Sequence, residues 1–141
     1  MSSISVFSST LDSVIEQVDG AEASIRQFAK DAGFSDDDQY FIGLAAREIL
    51  INAMKHGNQF DPAKKVDLRL AMNGKDLVIE VTDQGEGFRV EKVPDPHLPE
   101  NRMRTSGRGI TMTVAIMDEF TVDRNASGGT HVRMVKRLRS Q

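Results

Sequence analysis

The spacing of apolar and polar positions changes several times along the chain, and each change marks an element. Residues Ile4 to Phe7 alternate weakly, as a short strand does, after which Leu11, Val14, Ile15, Val18, Ile25, Phe28 and Ala29 recur at helical spacing. This predicts a first helix from about Thr10 to Ala32, with a break near Gly20. Ser35 ahead of Asp36, Asp37 and Asp38 supplies an N-cap and a first turn of carboxylates, so a second helix starts there and continues to Gly57. Val66, Leu68 and Leu70 alternate with Asp67 and Arg69, Asn73 and Gly74 mark a turn, and Leu77 to Val81 is rich in β-formers; together they predict a hairpin. Gln84 to Arg104 holds three prolines, several charges and little periodicity, which predicts a long functional loop. Ile110 to Met117 suits a third helix ending near Asp118 or Glu119. Phe120 to Val122 and His131 to Val135 read as closing strands across the Asn125 to Gly129 turn.

Composition narrows the class. A length of 141 residues fits one domain over 1–141, and 39% hydrophobic content suffices for a core. With no cysteine, disulfides, thiolate metal sites and thiol redox chemistry are excluded. The N-terminal stretch has neither a charged leader nor a continuous apolar run, and no segment approaches a membrane span, so the expected location is cytoplasmic, without membrane contact. A net charge of -3 gives no field for nucleic acid, and the basic cluster Lys136 to Arg139 reads as a solvated end.

Four segments carry the candidate chemistry: EILINAMKHG (Glu48 to Gly57), DQGEGF (Asp83 to Phe88), SGRGI (Ser106 to Ile110) and GGT (Gly128 to Thr130). Between Phe41 and Met54 the strongly polar side chains are Arg47, Glu48 and Asn52. Glu48 and Asn52, four apart, share one helical face, and His56 extends the stripe. On a helix apolar all round, an inward carboxylate and amide carry a desolvation penalty unless a ligand, metal or water satisfies them. A carboxamide oxygen suits Mg²⁺, and Glu48 is placed to act as a general base. The same spacing also suits an i,i+4 surface pair, with His56 as a helix cap. Asp83, after a strand and before Gly85 and Gly87, suits a carboxylate accepting from an exocyclic amine such as adenine's, the glycines letting backbone pass a flat ring. An ordinary strand-ending turn reads identically. Gly107 and Gly109, opening the third helix, place backbone N–H groups for phosphate, with Arg104 and Arg108 as added charge or as solvent-facing side chains.

In this order and with about these gaps, the four segments resemble the Bergerat-fold ATPases, over roughly Asp36 to Arg137. The short chain and the E-x-x-x-N-A-x-x-H-G form most resemble the bacterial anti-sigma-factor serine/threonine kinases within that histidine-kinase-like superfamily. The resemblance implies an α+β fold: a two-layer α/β sandwich with a mixed, mainly antiparallel sheet and helices on one face. It implies ATP and Mg²⁺, with Glu48 as base, Asn52 as magnesium ligand, Asp83 as adenine contact, Gly85 and Gly87 as the adenine-side turn, Gly107 and Gly109 as the phosphate turn, and Thr130 as an adenine-side polar group. Arg104 stands two residues before the serine of SGRG, which leaves open whether Arg104 or Arg108 touches phosphate. The implied partners are a sigma factor, a small anti-anti-sigma STAS-domain protein that is phosphorylated, and a second copy in a homodimer. A nucleotide-gated binding module with little or no kinase activity is the competing reading. A detached histidine-kinase domain ranks last, because His56 belongs to the E-x-x-x-N-A-x-x-H-G motif and His97 sits in a proline-rich loop.

Overall fold

The computed structural model describes residues 5–85, 112–124 and 128–139. Five strands form one sheet: β1 Val6–Asp12, β2 Lys65–Asn73, β3 Asp76–Asp83, β4 Glu119–Arg124 and β5 Thr130–Arg137, in the order β1-β2-β3-β5-β4. Two long helices, α1 Val18–Ala32 and α2 Asp36–Asn52, complete a two-layer α+β sandwich, and a short helix covers 112–116. The sheet, expected to be mixed and mainly antiparallel, pairs antiparallel throughout the described residues.

The pleat sorts the side chains by period two. Val66, Leu68 and Leu70 of β2, Leu77, Ile79 and Val81 of β3, and Val132 and Met134 of β5 are buried beneath the helices. Between them stand Asp67 and Arg69 of β2, Glu80 of β3 and Arg133 of β5, with the apolar Val78 as the exception, and on that opposite face Arg69 meets Glu80 at 3.1 Å and His131 meets Glu80 at 3.3 Å. Such exposed pairs set register more than stability. The Asn73–Gly74 hairpin forms as predicted, with Asn73 opposite Asp76.

The helices follow their end signals. The Ser35 side chain accepts from the Asp38 N–H at 3.2 Å, and Asp36, Asp37 and Asp38 fill the first turn of α2. α1 ends on Gly33 at φ 104°, with the Phe34 N–H returning to the Ala29 carbonyl. Its beginning differs from the prediction. Residues from Thr10 to Asp12 are strand, paired with Asp67, Val66 and Lys65, and a 3-10 turn at Ile15–Gln17 precedes Val18. Leu11 and Val14 fit a helical spacing by coincidence, whereas the Ser8–Asp12 ladder satisfies backbone groups that an exposed helix start would leave open. Gly20 does not break α1.

Candidate functional site

β3 carries its alternation one step past the hydrophobic core. Asp83, two residues beyond Val81, points to the helix side and is 2% exposed. Thr130, in phase with Val132 at the start of β5, is buried beside it. Asp83 Oδ1 accepts from the Thr130 N–H at 3.0 Å and from the Gly85 N–H at 3.2 Å. Burial pushes the Asp83 carboxyl up, and these two N–H groups together with the Lys64 charge pull it back in part.

Glycines stand where backbone closes around this carboxylate. A Cβ on Gly57 would lie 2.2 Å from Asp83 Oδ2, one on Gly129 would lie 2.0 Å from the Asp83 carbonyl oxygen, and one on Gly85 would lie 1.7 Å from the Gly57 carbonyl oxygen. Gly85 is thus required by the close approach of two chain segments. That reason is separate from the flat-ring reason suggested by the motif.

The end of α2 reaches Asp83 through an irregular turn. The sequence predicts one helix to Gly57; the regular α-helix stops at Asn52 and a π turn spans Ala53–Gly57, closed by the Asn58 N–H on the Ala53 carbonyl at 2.9 Å. Wide turns of this kind recur at functional sites. Gln59 and Phe60 follow at φ 53° and 54°, a left-handed pair that turns the chain toward β2. Asn58 is fully buried. Its Nδ2 donates to Ser13 Oγ at 2.8 Å and to the Lys65 carbonyl at 2.9 Å, and its Oδ1 accepts from the Gln84 N–H at 3.0 Å. Nothing in the sequence singles Asn58 out, since Gly-Asn after a helix reads as a turn.

Glu48 and Asn52 are half-buried, between the buried row Ile42, Ala45, Ala46, Ile49 and Leu50 and the exposed Phe41 and Lys55. The inward placement predicted for them is corrected to this border position: α2 buries one face only, so the two side chains keep access to a ligand without a full desolvation penalty. Arg47, the third polar residue of that stretch, turns to α1 and pairs with Asp19 at 2.5 Å and Glu22 at 3.1 Å. His56 is exposed in the π turn. The structure therefore brings together Asp83, Gly85 and Thr130, with Gly57 and Gly129 added, and links them through one turn to the helix bearing Glu48 and Asn52. Gly87, Arg104, Gly107, Arg108 and Gly109 lie outside the described residues, as does the 86–104 loop.

Among the described residues no cluster of three or more His, Asp or Glu side chains is placed to hold a metal. Glu48 and Asn52 present oxygen donors of the kind Mg²⁺ accepts alongside water and phosphate. No described helix is long and apolar enough to cross a membrane.

Comparison with known proteins agrees with this arrangement. The family model of the histidine kinase-like ATPase domain matches residues 11–136. A serine-protein kinase RsbW of Bacillus licheniformis is 30% identical over 116 residues, covering 78% of this chain and 71% of its own. An anti-sigma F factor of Thermoanaerobacter sp. (strain X514) is 32% identical over 104 residues, covering 70% of each chain. The RsbU and RsbW domains of Rv1364c from Mycobacterium tuberculosis share the fold, with a TM-score of 0.70 and 22% identity over 95% of this chain, which spans 32% of that longer chain. The chain belongs to the histidine kinase-like ATPases and, within them, to the bacterial anti-sigma-factor serine/threonine kinase family.

Proposed function

We propose that the protein is an ATP-dependent serine/threonine kinase that acts as an anti-sigma factor in a partner-switching pathway and phosphorylates a small anti-anti-sigma protein of the STAS type. The observation that carries this reading is the Asp83 cradle: a buried carboxylate with Oδ1 held by two backbone N–H groups and with the Gly57 backbone packed against Oδ2. A carboxylate held so firmly is suited to one fixed donor, such as the exocyclic amine of adenine. The names of the relatives supply the regulatory setting.

In this reading Asp83 and Thr130 orient the base. Gly85 and Gly87 form its turn, and Gly107, Gly109 and Arg104 or Arg108 meet the phosphates. Asn52 would hold Mg²⁺, which when bound offsets phosphate charge. Glu48 takes the proton of the partner's hydroxyl as the new O–P bond forms and the bond to the departing ADP breaks. The chain acts as one domain, pairs as a homodimer and works in the cytoplasm. The experiment is transfer of labelled phosphate from ATP to proteins that co-purify with this chain, read with calorimetry of ATP binding. Binding without transfer to any serine or threonine would favour the nucleotide-gated module.

A further inference from the structure

β3 ends at Asp83, and beyond it the sheet no longer holds the backbone. Yet the Gly85 N–H must be fixed if it is to stay on Asp83 Oδ1. Gln84 supplies the tie: its N–H donates to Asn58 Oδ1 at 3.0 Å, and its Oε1 accepts from the Lys65 N–H at 2.6 Å. On the other side of the carboxylate lies Gly57, the residue before Asn58. One side chain is thus bonded to the segment that touches Oδ1 and adjoins the residue that touches Oδ2. The Asn58 amide also donates to Ser13 Oγ and to the Lys65 carbonyl, and the Lys65 bond at Nδ2 together with the Gln84 bond at Oδ1 fixes the plane of the carboxamide without the Ser13 bond.

We propose that Asn58 is a positioning residue for base recognition, fixing the Asp83 carboxylate between Gly57 and Gln84–Gly85 so that it accepts from the amine of a 6-aminopurine and rejects a 6-oxopurine. The inference rests on the adenine reading of Asp83. A site shaped for one donor discriminates strongly against an analogue presenting an acceptor, but only while the acceptor is held in place. Released from Asn58, the Gln84–Gly85 segment shifts, the carboxylate turns with it, and the preference falls more than the affinity does.

The test compares affinities for ATP and inosine triphosphate in the wild type, Asn58→Ala and Ser13→Ala. Ser13→Ala cuts a bond of the same network while leaving Asn58 on Gln84, so it controls for lost stability. The wild type should prefer ATP by about 10²-fold or more. Asn58→Ala should lose about tenfold or more of that ratio, and Ser13→Ala should keep it within about threefold. An unchanged ratio in Asn58→Ala, or an equal fall in Ser13→Ala, overturns the positioning role while the adenine reading stands. No ATP preference in the wild type overturns the adenine reading itself. Should Asn58→Ala not fold, amide exchange on the wild type decides: ATP should protect the Gln84 N–H more than inosine triphosphate does, and equal protection overturns the proposal.

Discussion

Gly57 at the end of the π turn lies so close to Asp83 that a single methyl on it would stand 2.2 Å from Oδ2. Helical glycine is destabilising by about 1 kcal/mol relative to alanine, so its presence here reflects packing against the carboxylate. Gly57→Ala should therefore displace Asp83, weakening ATP binding about tenfold or more by calorimetry despite the better helix propensity. Gly20, inside α1 with nothing near its missing Cβ, is the opposite case. Gly20→Ala should raise stability by about 0.5–1 kcal/mol with ATP affinity unchanged. A loss of stability in Gly20→Ala, or full affinity in Gly57→Ala, would contradict this account of the two glycines.

Asp83→Asn separates binding from stability. The folded state holds the Asp83 carboxyl raised by burial, so it binds a proton more tightly than the unfolded chain does, and stability falls as pH rises between the unfolded and folded pKa values. The neutral amide removes that cost, and its oxygen keeps the bonds from Thr130 and Gly85. The apo variant should melt higher near neutral pH, and should lose this advantage in acid. Its ATP affinity should fall by on the order of 2 kcal/mol, because a charge-assisted bond is lost and an amine faces an amine. Thermal scans and titration calorimetry on one sample would show both effects, and a variant that melts lower while binding ATP normally would contradict both.

Asp118 provides a pH dependence of the opposite sign. Its carboxylate accepts from Arg139 at 2.6 Å and from the Arg137 N–H at 2.6 Å, which hold it down from the usual 3.8 to about 2. The stability it adds is fully present above about pH 4 and is lost as pH falls toward 2. Asp118→Asn should cost on the order of 1 kcal/mol at pH 7, allowing for the solvent around Arg139, and should match the wild type in strong acid. Denaturant midpoints at several pH values measure this, and a gap that does not close in acid would exclude the ion pair as its source.

How much of this was legible in the chain varies with the kind of signal. The Ser35 cap and the alternation of β2 and β3 are local, and both are seen as predicted. The start of α1 is not legible locally, because Leu11 satisfies a helical period while its backbone pairs with Val66, a partner distant in sequence. For the site, Asp83 stands out by its chemistry next to glycine, and Thr130 only by its segment's place in the series of four. Asn58 does not, because its hydrogen-bond partners Ser13, Lys65 and Gln84 arrive from three separate segments. The π turn was hidden as well, since Ala53 to Gly57 contains nothing that a regular helix end could not hold. The i,i+4 spacing of Glu48 and Asn52 is legible, but their depth depends on how α2 rolls against the sheet.

Asn52→Ala removes the proposed magnesium ligand from the half-buried face of α2. Mg²⁺-dependent ATP binding and phosphotransfer should then fall together, while ATP binding in EDTA should stay near the wild-type value. Equal loss of affinity with and without the metal would assign Asn52 to the fold or to the nucleotide itself.

The central claim, phosphotransfer with Glu48 as base, is tested most directly by Glu48→Gln. The change preserves size and hydrogen bonding but removes proton acceptance, so ATP should bind as in the wild type. The rate of labelled phosphate transfer to the co-purified partner should drop by about 10²-fold or more. Transfer at the wild-type rate by Glu48→Gln would contradict the account.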